Sequence, residues 1–83
     1  MNSLKTKQIL RFQEVFPELP VEVAEVVMLY AAGARQVDII GAEVNLTRRQ
    51  VDWTLNKAAQ ILELHSIPAI RTVVLTRLLL EQF

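Results

Sequence analysis

The segment between Pro20 and Gly33 limits most strongly what this chain can fold into. Its only charged residues are two glutamates near its start, and residues 26–32 are apolar on every side of a helix. Proline is favoured in the first turn of a helix, and glycine is favoured as the left-handed residue that ends one. A helix that is apolar all round is buried on several sides. We therefore predict a central helix over residues 20–32, with other elements packed around it.

The rest of the chain has the apolar spacing of helices rather than the alternation of strands. The clearest boundary is Thr47, which starts a capping box with Gln50 and follows a tight turn over residues 45–47. The sequence predicts an all-α fold with four to five helices, in a single domain over residues 1–83. The remaining helices are expected over residues 3–16, 35–44, 48–64 and 67–82.

The chain has 83 residues and no cysteine. It must therefore be stabilised by its hydrophobic core, with the possible help of a second subunit, and a disulfide-framed secreted protein is excluded. A reducing, cytoplasmic location is expected. The longest uncharged stretch, residues 26–34, is much shorter than the ~20 apolar residues of a membrane helix, and no signal peptide is evident.

Few residues could support catalysis. His65 is the one histidine, Ser3 and Ser66 are the only serines, and no glycine-rich phosphate loop is present. Nucleophilic catalysis needs a nucleophile, a base and an orienting group, and metal binding needs several ligands at defined spacing. We expect no enzyme activity, no cofactor and no metal site.

Residues 35–64 have the pattern of a helix-turn-helix: a short helix, a turn and a longer capped helix. In that motif the second helix lies in the major groove of double-stranded DNA and presents its first residues to the bases. Arg48 and Arg49 open this helix, where its dipole disfavours cations but DNA phosphates would favour them. The predicted DNA-binding residues are Arg35, Thr47, Arg48, Arg49, Asp52, Trp53, Asn56 and Lys57.

The net charge is zero, with nine Lys and Arg against nine Asp and Glu. DNA-binding modules are usually basic, since phosphate contacts supply much of their affinity. Only the electrostatic potential over the binding face matters, however. Glu22 and Glu25, the two acidic residues of the predicted central helix, lie on a different helix from Arg48 and Arg49. Asp52 is the exception, because it lies one turn into the predicted binding helix.

Residues 19–64 resemble the DNA-binding domain of the LuxR/FixJ/GerE-type bacterial transcription regulators. The similarity lies in the Glu22 to Gly33 helix, in the Ile39-Ile40-Gly41 and Asn45-Leu46-Thr47-Arg48-Arg49-Gln50-Val51 segments, and in residues 58–64. The resemblance implies a four-helix domain, with a helix-turn-helix core over 19–64 and its last helix over 67–82, and the helix over residues 1–16 is additional to it. It also implies that the last helix, residues 67–82, dimerises, and the expected contacts are Ile70, Val74, Leu75, Leu78 and Leu79.

The chain departs from the family by one extra residue between Ile39 and Thr47. At the family's base-contacting positions it has Asp52 and Asn56, beside Trp53. Asn56 suits adenine, whereas Trp53 suits either a thymine methyl or a protein partner. Two functions therefore stay open. One is a homodimeric, sequence-specific DNA-binding regulator, and the other is a protein-binding module that antagonises or modulates a regulator.

Overall fold

The structure is a computed structural model, and it describes residues 3–33 and 44–81. Within these ranges the chain forms four helices and no strand, which confirms the predicted all-α class. The helices are α1 (Ser3–Val15), α2 (Val21–Ala31), α3 (Arg48–Ile61) and α4 (Ala69–Glu81). The helix expected over 35–44 lies outside the described residues except for Val44, which is helical.

Helix α2 is the centre of the fold, as its apolar sequence predicts. It packs against α1, α3 and α4. Its buried side chains lie on one broad side of the helix: Val23, Ala24, Val26, Val27 and Tyr30. Met28, Leu29 and Ala31 are partly buried against the same core. The helix follows Pro20, and Gly33 adopts a φ of 107° just after it ends, which confirms glycine as its left-handed terminator.

A tight turn joins α1 to α2 and closes one side of the core. The Phe12 and Phe16 rings stack with their centroids 4.9 Å apart, and Phe16 and Leu19 are both fully buried. The backbone N–H of Leu19 donates to the Phe16 carbonyl, and the Gln13 side-chain amide donates to the Leu19 carbonyl at 3.0 Å. These bonds satisfy the buried backbone of the turn, so that α1 folds back along α2.

Helix α3 ends at Ile61, three residues before the predicted end at Leu64. Glu63 adopts a φ of 59°, and its N–H donates to the Gln60 carbonyl. The N–H of Leu64 donates to the Ala59 carbonyl at 2.8 Å. These two bonds form a Schellman motif, which normally has glycine at the left-handed position. The chain then enters α4 at Ala69, two residues after the predicted start at residue 67.

Two arginines of α4 fasten that helix to the rest of the domain. Arg77 donates to both carboxylate oxygens of Glu18, at 2.9 and 2.7 Å, and to the Val15 carbonyl, and its guanidinium lies 4.4 Å from the Phe16 ring centroid. The hydrogen bonds from Arg77 lower the pKa of Glu18 from 4.5 to about 2. Arg71 lies 3.9 Å from the Tyr30 ring centroid and donates to the Tyr30 carbonyl.

None of the four helices is long and apolar enough to cross a membrane.

Candidate nucleic-acid interface

The first turn of α3 is fixed by the predicted capping box. The Thr47 hydroxyl accepts from the Gln50 N–H at 3.1 Å, and the Gln50 side-chain oxygen accepts from the Thr47 N–H at 2.8 Å. Before it, Asn45 adopts a φ of 59°, a left-handed conformation that asparagine tolerates well. The turn and the cap together set where each later side chain of α3 points.

One side of α3 is buried, and the opposite side is fully available. Val51, Leu55 and Ala58 pack into the core, and the Thr54 hydroxyl is satisfied by the Gln50 carbonyl at 2.7 Å. The predicted DNA-binding residues that lie within α3 are all exposed: Arg48, Arg49, Asp52, Trp53, Asn56 and Lys57. We call this set, with Gln60, the outer face of α3. Thr47 is exposed at the helix start, and Arg35 lies outside the described residues.

The outer face of α3 carries three cations and one carboxylate. Within residues 3–33 and 44–81, neither Arg48 nor Arg49 has a carboxylate at ion-pair distance. Both lie in the first turn, where the unpaired N–H groups of the helix make the local potential positive. The start of α3 therefore presents two cations that form no ion pair with any described carboxylate, and Asp52 is the one carboxylate on the same face.

Farther along the outer face, an aromatic ring, a cation and two amides line a shallow concavity. The Lys57 ammonium lies 4.9 Å from the Trp53 ring centroid, yet Trp53 stays 62% exposed. The Asn56 amide nitrogen donates to the Asp52 carbonyl at 3.0 Å. The concavity has a volume of about 210 Å³ and is lined by Trp53, Asn56, Lys57 and Gln60. Its polar and apolar groups lie side by side, as recognition of a base edge requires.

The structure corrects two of the five residues predicted to form a dimer contact. Ile70 is fully buried and Val74 nearly so, because this side of α4 packs into the domain's own core. Their side chains cannot contact a second subunit. Leu75, Leu78 and Leu79 are exposed, and Leu78 also lines a groove of about 460 Å³ between α1 and α4.

The described residues contain no cluster that suggests catalysis or metal binding. His65 is exposed in the segment between α3 and α4. No three or more His, Cys, Asp or Glu side chains within residues 3–33 and 44–81 are grouped so that they could hold a metal ion. The absence of enzyme activity and of cofactors stays a prediction.

The sequence pattern does not indicate that Arg71 and Arg77 bind groups within the domain. Both stand among apolar residues of α4 and carry positive charge, but both are engaged within the domain. Their partners are 41 and 59 residues away along the chain, so no local spacing could have paired them. Of the nine basic residues, Arg77 is therefore paired with a carboxylate, and Arg71 is held against the Tyr30 carbonyl and ring.

Comparison of the chain with models of protein families, with curated proteins and with solved structures finds no match.

Proposed function

We propose that this chain is a sequence-specific DNA-binding transcription regulator that acts as a small homodimer and contacts DNA through the outer face of α3. The observation that supports this most is the position of Arg48 and Arg49. Each opposes the helix dipole by about 0.3–1 kcal/mol, and neither forms an ion pair with a carboxylate of the described residues. DNA phosphates beside the first turn would supply the missing negative charge.

The size and shape of α3 are compatible with the major groove of duplex DNA. The helix has 14 residues, and the groove is about 12 Å wide, enough to admit an α-helix. Its buried side holds it on α2, while its outer side carries hydrogen-bonding groups, a ring and cations. The zero net charge does not oppose this role, because only the local field matters and the outer face of α3 carries three cations against one carboxylate.

A titration of fluorescently labelled, random-sequence duplex DNA tests this proposal. The Arg48→Gln/Arg49→Gln variant should bind more weakly than the wild type, because it neutralises fewer DNA phosphates. The slope of log affinity against log salt, measured from about 50 to 200 mM, should fall by about 0.9 for each phosphate that is no longer neutralised. The matched control is Lys7→Gln/Arg11→Gln, which removes two exposed charges from α1.

We expect the control variant to bind like the wild type. A wild-type protein that binds no DNA at low salt would refute the proposal. An equal loss of affinity in both variants would show that general charge, rather than the start of α3, causes the binding.

A protein-binding function is the second candidate, and the exposure of Trp53 favours it. Tryptophan is enriched among the residues that dominate protein interfaces, and a carboxylate such as Asp52 suits a protein better than a phosphate backbone. In this case Trp53→Ala should abolish the binding of a purified partner regulator, whereas Arg48→Gln/Arg49→Gln should retain most of it. Calorimetric titration would measure both, and an unchanged affinity in Trp53→Ala would exclude this function.

A further inference from the structure

We propose that Trp53 and Asn56 make the outer face of α3 selective for duplex DNA with a thymine and an adenine no more than about two base steps apart. This inference rests on the proposed DNA-binding function and adds the class of sequence that is recognised. It is based on the hydrogen-bonding groups of Asn56 and the ring surface of Trp53 that remain available after their contacts within α3.

Asn56 retains one donor and one acceptor. One hydrogen of its amide nitrogen is used by the Asp52 carbonyl at 3.0 Å, which also fixes how the side chain lies on the helix. The second hydrogen and the side-chain oxygen are left for a ligand. The major-groove edge of adenine offers the complement, N7 as acceptor and the N6 amino group as donor. Guanine offers two acceptors there, and would leave the Asn56 oxygen without a partner.

Trp53 supplies an apolar surface next to that amide. Its ring is mostly exposed, and Lys57 lies against it, so that the ring is supported on one side and open on another. The C5 methyl of thymine is the apolar group on the major-groove edges of the bases. The concavity beside the ring, about 210 Å³ and also lined by Asn56, is large enough to receive a methyl group.

The spacing of the two residues fits neighbouring bases. Residues three apart on a helix have Cβ atoms about 5–6 Å apart and lie on the same side. Bases on one DNA strand are about 3.4 Å apart along the axis. Trp53 and Asn56 therefore reach bases no more than about two steps apart, so that one short A·T segment satisfies both.

Chemically altered duplexes test this inference directly. The probes are alternating dA-dT duplex, the same duplex with deoxyuridine for thymidine, the same duplex with 7-deazaadenine, and alternating dG-dC duplex. Uracil lacks only the methyl, so affinity should fall about fourfold, the equivalent of about 0.8 kcal/mol for one buried methyl. Loss of N7 removes one hydrogen bond and should lower affinity roughly five- to tenfold.

Each effect should depend on one residue. Trp53→Ala should bind thymine and uracil duplexes equally while keeping the 7-deazaadenine effect, and Asn56→Ala should show the reverse. Both side chains are exposed, so the variants should fold, and their circular dichroism should match that of the wild type.

The outcomes separate the two proposals. Binding to random-sequence duplex with equal affinity for all four probes would overturn the selectivity and leave the DNA-binding function standing. No binding to any duplex at low salt would overturn both. Base effects that persist unchanged in both variants would assign the selectivity to other residues and overturn this inference.

Discussion

Glu63 occupies a backbone conformation that favours glycine. Its φ of 59° is set by the Schellman hydrogen bonds that end α3, and left-handed backbone costs an ordinary residue roughly 1–2 kcal/mol. Glycine avoids this cost, although it loses more entropy on folding. We therefore expect Glu63→Gly to raise the free energy of unfolding by about 0.5–1 kcal/mol, measured by urea denaturation.

Glu14→Gly is the matched control for Glu63→Gly. It makes the same substitution at an exposed residue within α1, where glycine is unfavourable, and should lower the free energy of unfolding by about 1 kcal/mol. Destabilisation by both substitutions would contradict the interpretation of Glu63 as a strained helix terminator.

These helix ends also show how far single residues predict boundaries. Gly33 and the Thr47 capping box carry their own signals, and both were predicted correctly. The end of α3 has neither glycine nor proline. Glu63 occupies the left-handed position there instead. The predicted helix was therefore three residues too long, and no residue type at that end could have corrected it.

At the scale of the helices, packing decides what an apolar pattern leaves open. The apolar residues of α4 surround most of the helix, so the sequence could not tell its inner from its outer side. Ile70 and Val74 pack inward, while Leu75 and Leu79 stay exposed to 60% and 50%. In α2 most apolar residues are covered, because Met28, Leu29 and Ala31 pack partly against the core beside its buried side.

The homodimer of the proposed function would form through the exposed leucines of α4. Leu75 and Leu79 are four residues apart and lie on the same side of α4, next to Leu78. We expect the wild type to dimerise through this side, because a small domain that exposes several leucines gains by burying them. Leu75→Lys/Leu79→Lys should then be monomeric by light scattering, with an unchanged helical content.

Leu80→Lys provides the control for the dimer. Leu80 is also exposed, but it lies about 140° around the helix from Leu75, outside the proposed contact. This variant should remain dimeric. A wild type that is monomeric at micromolar concentration would refute the homodimer.

At the scale of the whole molecule, contacts between distant residues determine how the helices are held together. The sequence predicted the four described helices and the central position of α2, because both depend on local spacing. It could not predict that Arg77 would bind Glu18 and cover the Phe16 ring, since only the folded chain brings them together. The predicted α3 residues all lie exposed on one side of that helix, because they are close in sequence and the Thr47 cap fixes where the helix begins.

The Arg77–Glu18 pair should make the stability of the domain depend on pH. The pKa of Glu18 falls to about 2 in the folded protein, so its contribution is complete above about pH 4.5 and is lost as the pH falls towards 2. Both side chains are about one-third exposed, and solvent screening limits the contribution to about 1 kcal/mol. Glu18→Gln should therefore be less stable than the wild type at pH 7 by up to this amount.

Urea denaturation of both proteins across this range tests the pair. The difference between wild type and Glu18→Gln should shrink as the pH is lowered from 4.5 and should be mostly lost near pH 2, where about half of Glu18 is protonated. Glu14→Gln removes an exposed carboxylate of α1 instead, and its difference from the wild type at pH 7 should be smaller. Raised salt should weaken the Glu18 effect, because the pair lies at the surface. A difference that stays constant from pH 7 to pH 2 would mean that Glu18 acts by packing alone, and that Arg77 holds α4 through Phe16 and the Val15 carbonyl without the charge of its partner.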